Sequence, residues 1–360
     1  MYNRTIMRDL GALSQEARDL MDERKIEFNK AFSKLTNESN KEAKEERCYI
    51  CKKDCSSFCN SHTVPASFLR NVDVNGDVYT NGKLINVPLL PSEKGVNKSG
   101  TFRIICNDCD SKKFSEYENA DNYSTFPIPT PKMIAQIAMK TALNRIAKRK
   151  FEIALYGNVP LGNESVYRQQ ISDMDLKEYI DDFNYAKKAA EKDDDGKYNI
   201  LYYKVLDYVV PIAFQSSIAL VTDLDGALIN NVYSTKPEYR IKSIDVCVFP
   251  LEETSIIIIF AKSKDKIFRN FRKQINKLSI DEQLAAINYM IFSYSEDVFL
   301  SKEIDENILL DEALIAASRK SLEVFVTSAG QIDMEVVKES YSFSKMNDVP
   351  NLLSSEYRIR

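Results

Sequence analysis

Cys48-Tyr49-Ile50-Cys51 and Cys106-Asn107-Asp108-Cys109 are the two stretches on which the reading of this chain turns. Each is a Cys-x-x-Cys knuckle, a spacing that lets both sulfurs of a pair face one ion. Two knuckles together make a tetrahedral four-cysteine zinc site. The expected metal ligands are therefore Cys48, Cys51, Cys106 and Cys109, with Zn²⁺ in a structural role. The segment between the knuckles, Lys52 to Ile105, is long, so the metal would close a loop that its own sequence would not hold. Cys55 and Cys59 lie inside it. Cys59-Asn60-Ser61-His62 is itself a Cys-x-x-His spacing, so these two cysteines are either bystanders or part of a second or alternative site.

Working outward, the chain has 360 residues, 44% of them hydrophobic, and a net charge of -4. That length suggests two or three domains. The charge excludes a uniformly basic coat but leaves room for a local basic face. No apolar run is long enough for a membrane span; the longest is near Ile256-Ile257-Ile258-Ile259-Phe260-Ala261. Met1-Tyr2-Asn3-Arg4 lacks the apolar core of a signal peptide, and the expected compartment is the cytoplasm. In a reducing compartment, clustered cysteines argue for metal rather than disulfides. There is one histidine, His62, and no tryptophan. A Ser-His-Asp or Cys-His hydrolase would have to use His62, and a three-histidine zinc enzyme is impossible in one chain.

The expected fold class is α+β: an N-terminal helix, a small zinc-stapled module, and a larger antiparallel sheet with helices. Residues 12–46 read as one amphipathic helix through Leu13, Ala17, Leu20, Met21, Phe28, Phe32 and Leu35, with a linker from about Ser39; it could serve packing or oligomerisation. The module covers 47–125. A helical connector covers 126–197, opened by Thr130-Pro131 and basic in its second half through Lys140, Arg145, Lys148, Arg149 and Lys150. A second helix is predicted from Ser172, with a capping box Ser172-x-x-Asp175. The α+β domain covers 198–360. Strands are predicted over Tyr198 to Phe214, Ser217 to Tyr233 and Arg240 to Lys262, and helices near 264–277, 280–300 (opened by the capping box Ser279-x-x-Glu282) and 304–320. The tail after Ser328 shows no clear pattern.

The cysteine module resembles the HNH (ββα-metal) endonucleases. The carrying residues are the two knuckles, His62 followed by x-x-Pro65, and Asp110 directly after Cys109 with Lys113 three residues on. The resemblance implies that His62 is the general base, that Asp110 holds Mg²⁺ or Mn²⁺, and that Asn97 is the middle asparagine. Ser61 stands where that family has a carboxylate or histidine, and serine is a poor ligand for such ions. The chain is also similar to a group of largely uncharacterised bacterial proteins with Cys-x-x-Cys, Ser-His-x-x-Pro and Cys-x-x-Cys-Asp. That pattern is carried here by Ser61-His62-Thr63-Val64-Pro65, Leu69, Gly76-Asp77-Val78-Tyr79, Phe102, Cys109-Asp110, Phe114 and Tyr117-Glu118-Asn119. These resemblances imply action on DNA or RNA, plausibly in phage defence with a protein partner. In that chemistry a neutral imidazole takes a proton from water, and the metal stabilises the leaving oxygen. Lys112, Lys113, Lys140, Arg145, Lys148, Arg149 and Lys150 would hold the phosphate backbone.

Each functional reading has a plainer rival. His62 could be a structural histidine, and the basic helix a solvated face. The whole module could be a non-catalytic zinc finger for nucleic acid or protein, attached to an α+β effector. One further motif, Val221-Thr222-Asp223-Leu224-Asp225-Gly226, resembles the nucleophile strand of haloacid-dehalogenase phosphatases. Asp225-Gly226 is also a strong hairpin turn signal, and the segment reads as a turn.

Overall fold

The computed structural model describes residues 5–9, 11–12, 14–87, 90–158, 163–328 and 331–360. The expectations for Met1 to Arg4 and Leu13 lie outside the described residues, and the side chains of 163–170 are likewise outside them. The fold is α+β. The chain folds as two compact units. One comprises 1–11, 64–99 and 195–360; the other comprises 12–63 and 100–194. Residues 47–125, which read from sequence as one module, are therefore shared between the two.

The first unit is built on a sheet. Among the described residues seven strands form one antiparallel sheet, in the order Glu93–Gly95, Asp77–Thr80, Val298–Leu300, Ile212–Ile218, Ile244–Pro250, Ser255–Lys262 and Tyr198–Leu206. Its middle strand is Ile212–Ile218, and beside that lies the hairpin of Ile244–Pro250 and Ser255–Lys262, paired Pro250 to Ser255, Val248 to Ile257 and Val246 to Ile259. β-branched side chains lose little rotamer freedom on a pleated surface, which favours strands here. These two strands are apolar without alternation because both faces are covered. Ile257, Ile259, Val246 and Val248 share one buried cluster with Leu284, Ile287 and Met290. On the opposite face, Phe249 meets Phe68 at 5.1 Å between ring centres.

The helix Ile280–Tyr294 begins at the predicted capping box. The Ser279 backbone N–H donates to the Glu282 carboxylate at 2.9 Å, and the Ser279 hydroxyl accepts from the Glu282 backbone. The other spans differ from their predicted limits. The run from Tyr198 breaks after Leu206, and the strand from Ile212 stops at Ile218. From there the chain turns through Asp223–Gly226, bridged antiparallel at Thr222 and Leu228, with Gly226 at φ +83° where a side chain would be strained. Val298–Leu300 is a strand rather than the end of a helix. The tail carries a helix, Met334–Ser340.

The second unit is mainly helical. Thr130 caps Pro131–Gly157, its hydroxyl accepting from the Met133 N–H at 3.2 Å. This helix is buried almost all round over Met133 to Asn144 and packs along Asn163–Lys192. The second helix starts before Ser172, which is buried inside it, and Asp175 pairs with Arg149 at 2.9 Å instead of capping. A tertiary ion pair has overridden the local capping signal. The single N-terminal helix is two, Gln15–Glu23 and Lys25–Glu42, broken at Arg24. Only Ser39 of these helices is buried, so no core packing imposes one straight axis. Helix persists through Ser39 to Glu42, in place of the expected linker. No helix among the described residues is long and apolar enough to cross a membrane.

Candidate metal centre and the adjoining carboxylate site

The first knuckle is a tight turn. Lys52 sits directly after Cys51 at φ +61°, and its N–H donates to the Cys48 carbonyl at 2.8 Å. The second knuckle lies at the start of the helix Asn107–Lys113, which follows Cys106 in extended conformation. Backbone bonds tie the two together: Tyr49 N–H to Ile104 O at 2.8 Å, and Cys59 N–H to Ile105 O at 2.8 Å. As a result the sulfurs of Cys48, Cys51, Cys106 and Cys109 lie within 4.8 Å of one another. Cys51 Sγ and Cys106 Sγ are 4.0 Å apart. A tetrahedral zinc with bonds near 2.3 Å requires sulfur separations of about 3.8 Å, so the four fit that ion closely.

The electrostatics agree. Burial opposes the Cys48 thiolate, but hydrogen bonds from the backbone of Cys51, Cys106 and Ile50 bring its pKa down to about 7. Cys109 is pushed well up by burial and by its sulfur neighbours. Four thiols this close do not all ionise unless a dication offsets their repulsion. Closing a loop between Cys51 and Cys106, 55 positions apart, costs about 4 kcal/mol in chain entropy. A structural zinc contributes about 10–16 kcal/mol, which is ample. Cys55 and Cys59 are outside this set. The Cys55 thiol donates to the Ser57 carbonyl at 2.7 Å. The Cys59 thiol donates to Asp110 at 3.1 Å, and burial with that carboxylate pushes its pKa up to about 12. They read as bystanders to the zinc.

Next to the staple, strand, strand and helix follow in order. The short strand Ser61–His62 pairs antiparallel with Thr101–Phe102, Ser61 facing Phe102 and His62 facing Thr101. The helix Asn107–Lys113 then brings Asp110 back against the first strand. Ser61, fully buried, donates its hydroxyl to Asp110 Oδ1 at 2.6 Å. Asp110 thus meets the strand that carries His62 through Ser61. His62 itself is half-buried. Asn97 lies in the turn Val96–Lys98, in the sheet-containing unit rather than in the unit of His62 and Asp110.

The basic residues take a different role from the one expected. Lys140 is 1% exposed; its Nζ lies 2.5 Å from Asp110 Oδ1 and 3.0 Å from Glu118 Oε1. Arg145 pairs with Asp182 at 3.5 Å, Arg149 with Asp175 and with Glu152 at 2.8 Å, and Lys150 with Glu45. Arg145 also stacks on Tyr179, 3.8 Å from the ring centre. These four cations bind helices and linker together, while Lys148 on the same helix is exposed. Lys112 pairs with Asp108 at 2.5 Å, both exposed, and Lys113 is exposed.

Glu118 and Lys140 form an ion pair that their sequence positions do not join. A signal is nonetheless present: Gln136, Lys140 and Asn144 recur at four-residue spacing among the mostly apolar residues 133–144, which is one polar stripe. Gln136 Oε1 accepts from the Tyr117 N–H at 3.1 Å, fixing the segment that carries Glu118. Burial alone would raise the Asp110 carboxyl, but Lys140, Ser61 and Cys59 hold it below its usual value. Burial raises Glu118, and Lys140 offsets this only in part.

No family model, curated protein or solved structure matches this chain. The candidate four-cysteine metal centre therefore rests on its own geometry.

Proposed function

We propose that residues 12–63 and 100–194 form an HNH-like, zinc-stapled module of nuclease descent that binds nucleic acid without cutting it. The observation carrying this reading is the state of Asp110. Both of its carboxylate oxygens already accept hydrogen bonds, from Ser61, Lys140 and Cys59, so it offers little to Mg²⁺ or Mn²⁺. Nuclease descent is supported by the strand–strand–helix order around His62 and Asp110. Phosphate contacts fall to the exposed cations beside the knuckles, Lys53, Arg103 and Lys113. A role in phage defence, with a protein partner, rests on the resemblance alone.

The second reading is an active metal-dependent nuclease with His62 as general base. It is favoured by the Ser61–Asp110 bond, which sets a helix carboxylate beside the His62 strand. Gel-shift and cleavage assays on DNA and RNA separate the two. The binding reading expects salt-sensitive binding, weakened in K53E/K113E, and no cleavage with Mg²⁺ or Mn²⁺. It also expects His62→Ala to keep zinc and binding. Cleavage by wild type that is lost in His62→Ala would establish the second reading. Absence of any binding would leave a protein-binding zinc module.

A further inference from the structure

We propose that Lys140 is a resident cation: its ammonium occupies the place between Asp110 and Glu118 that a divalent ion would otherwise take, and so closes the site to such ions. The inference deepens the non-cleaving reading above, and its test involves no nucleic acid.

The site has the donors of a hard-cation site. Two carboxylates and one hydroxyl converge from separate segments: Ser61 from a strand, Asp110 from Asn107–Lys113, and Glu118 from Ser115–Glu118. Oxygen donors of this kind, with two formal negative charges, are what Mg²⁺ and Mn²⁺ bind. Here the charge is met from within the chain. Lys140 Nζ reaches both carboxylates, at 2.5 and 3.0 Å, and lies 4.1 Å over the face of the Phe114 ring. A ring face attracts an ammonium and adds to its retention.

Two features separate this lysine from a catalytic one. It is 1% exposed, so neither water nor a substrate reaches its nitrogen. It also projects from the buried half of a 27-residue helix, fixed by packing on all sides, and does not swing aside for an incoming ion. A divalent ion could enter only by leaving this ammonium buried without its carboxylates, which is strongly unfavourable. Shortening the side chain removes that obstacle. It leaves two half-buried carboxylates with no counter-charge and space beside them.

The test is Mn²⁺ titration of zinc-loaded protein followed by electron paramagnetic resonance, with thermal melting in parallel. Zinc stays on the four thiolates, which Mn²⁺ does not favour. Wild type should take up no Mn²⁺ at this site, and its melting temperature should not respond to the ion. K140A should melt lower than wild type in the absence of Mn²⁺, gain one bound Mn²⁺ per chain, and recover melting temperature as the ion is added. D110N/K140A should lose both the uptake and the recovery. Wild-type uptake of Mn²⁺ that is abolished by Asp110→Asn would overturn the inference. So would a K140A chain that gains no Mn²⁺ site, whether folded or not. Nucleic-acid binding is read separately by gel shift, so failure of that proposal leaves this result standing, and the reverse.

Discussion

At the scale of single residues, two buried lysines show opposite solutions to one problem. Lys140 is met by two carboxylates. Lys320, 8% exposed, has mostly neutral partners: it donates to the Tyr289 hydroxyl at 2.5 Å and to the Ser340 carbonyl, and it lies near the Tyr341 ring. Burial lowers its pKa from 10.5 to about 8, with Glu323 acting against the shift and Lys345 adding to it. Below about pH 8 both folded and unfolded chains carry the proton, and the full penalty applies. Between that point and the unfolded value, only the unfolded chain holds it, so stability from this group rises with pH. Tyrosines around it act the other way at higher pH, because burial raises Tyr289 to about 12 and Tyr341 further, and the unfolded phenols ionise first. Lys320→Met should therefore compare best with wild type near neutral pH. Its melting temperature relative to wild type should fall between about pH 7 and about pH 9.5. A difference that stays constant or grows over that range would show that Lys320 is not the group responsible.

At the scale of elements, burial separates the sheet from the N-terminal helices. Ile259 is fully buried in the strand Ser255–Lys262, with its side chain in the main cluster. Ile259→Ala should cost about 2–5 kcal/mol, the lost transfer energy plus the cavity left behind. Phe32, on Lys25–Glu42, is 40% exposed, and Phe32→Ala should cost under about 1 kcal/mol. Denaturant unfolding of both variants checks the pair. Equal losses would mean that the N-terminal helices are covered in solution by something that the single chain does not supply.

In the whole molecule, the four-cysteine cluster and the large hydrophobic sheet are separate features. The strands of the large sheet all belong to one unit, and the four cysteines to the other. One zinc per chain is expected by metal analysis, and none in Cys106→Ser. Binding energy at such a site is folding energy. Removing zinc with a chelator should expose the amides of 47–63 and 100–125 to hydrogen exchange, while the strands Ile244–Pro250 and Ser255–Lys262 stay protected. Unchanged protection around the knuckles after zinc loss would refute the staple.

Features encoded within a few residues or repeated at fixed spacing are legible in the chain alone. Two-residue gaps between cysteines marked the four sulfurs that lie together, because sulfurs so spaced can face one ion. The Ser279–Glu282 box marked a helix start, and Asp225-Gly226 a turn, because each satisfies its own backbone locally. The β-branched runs after residue 240 marked strands. Pairings between distant charges emerge only on folding. Lys140 reads as part of a basic face until Asp110 and Glu118 appear beside it, and Asp175 reads as a cap until Arg149 claims it. The break at Arg24 and the sharing of 47–125 between two units belong to the same class. The physical reason is common to all of them. A charge carries the same sign on a solvated face and in a buried pair, and only the position of its partner, set by packing over tens of residues, tells the two apart.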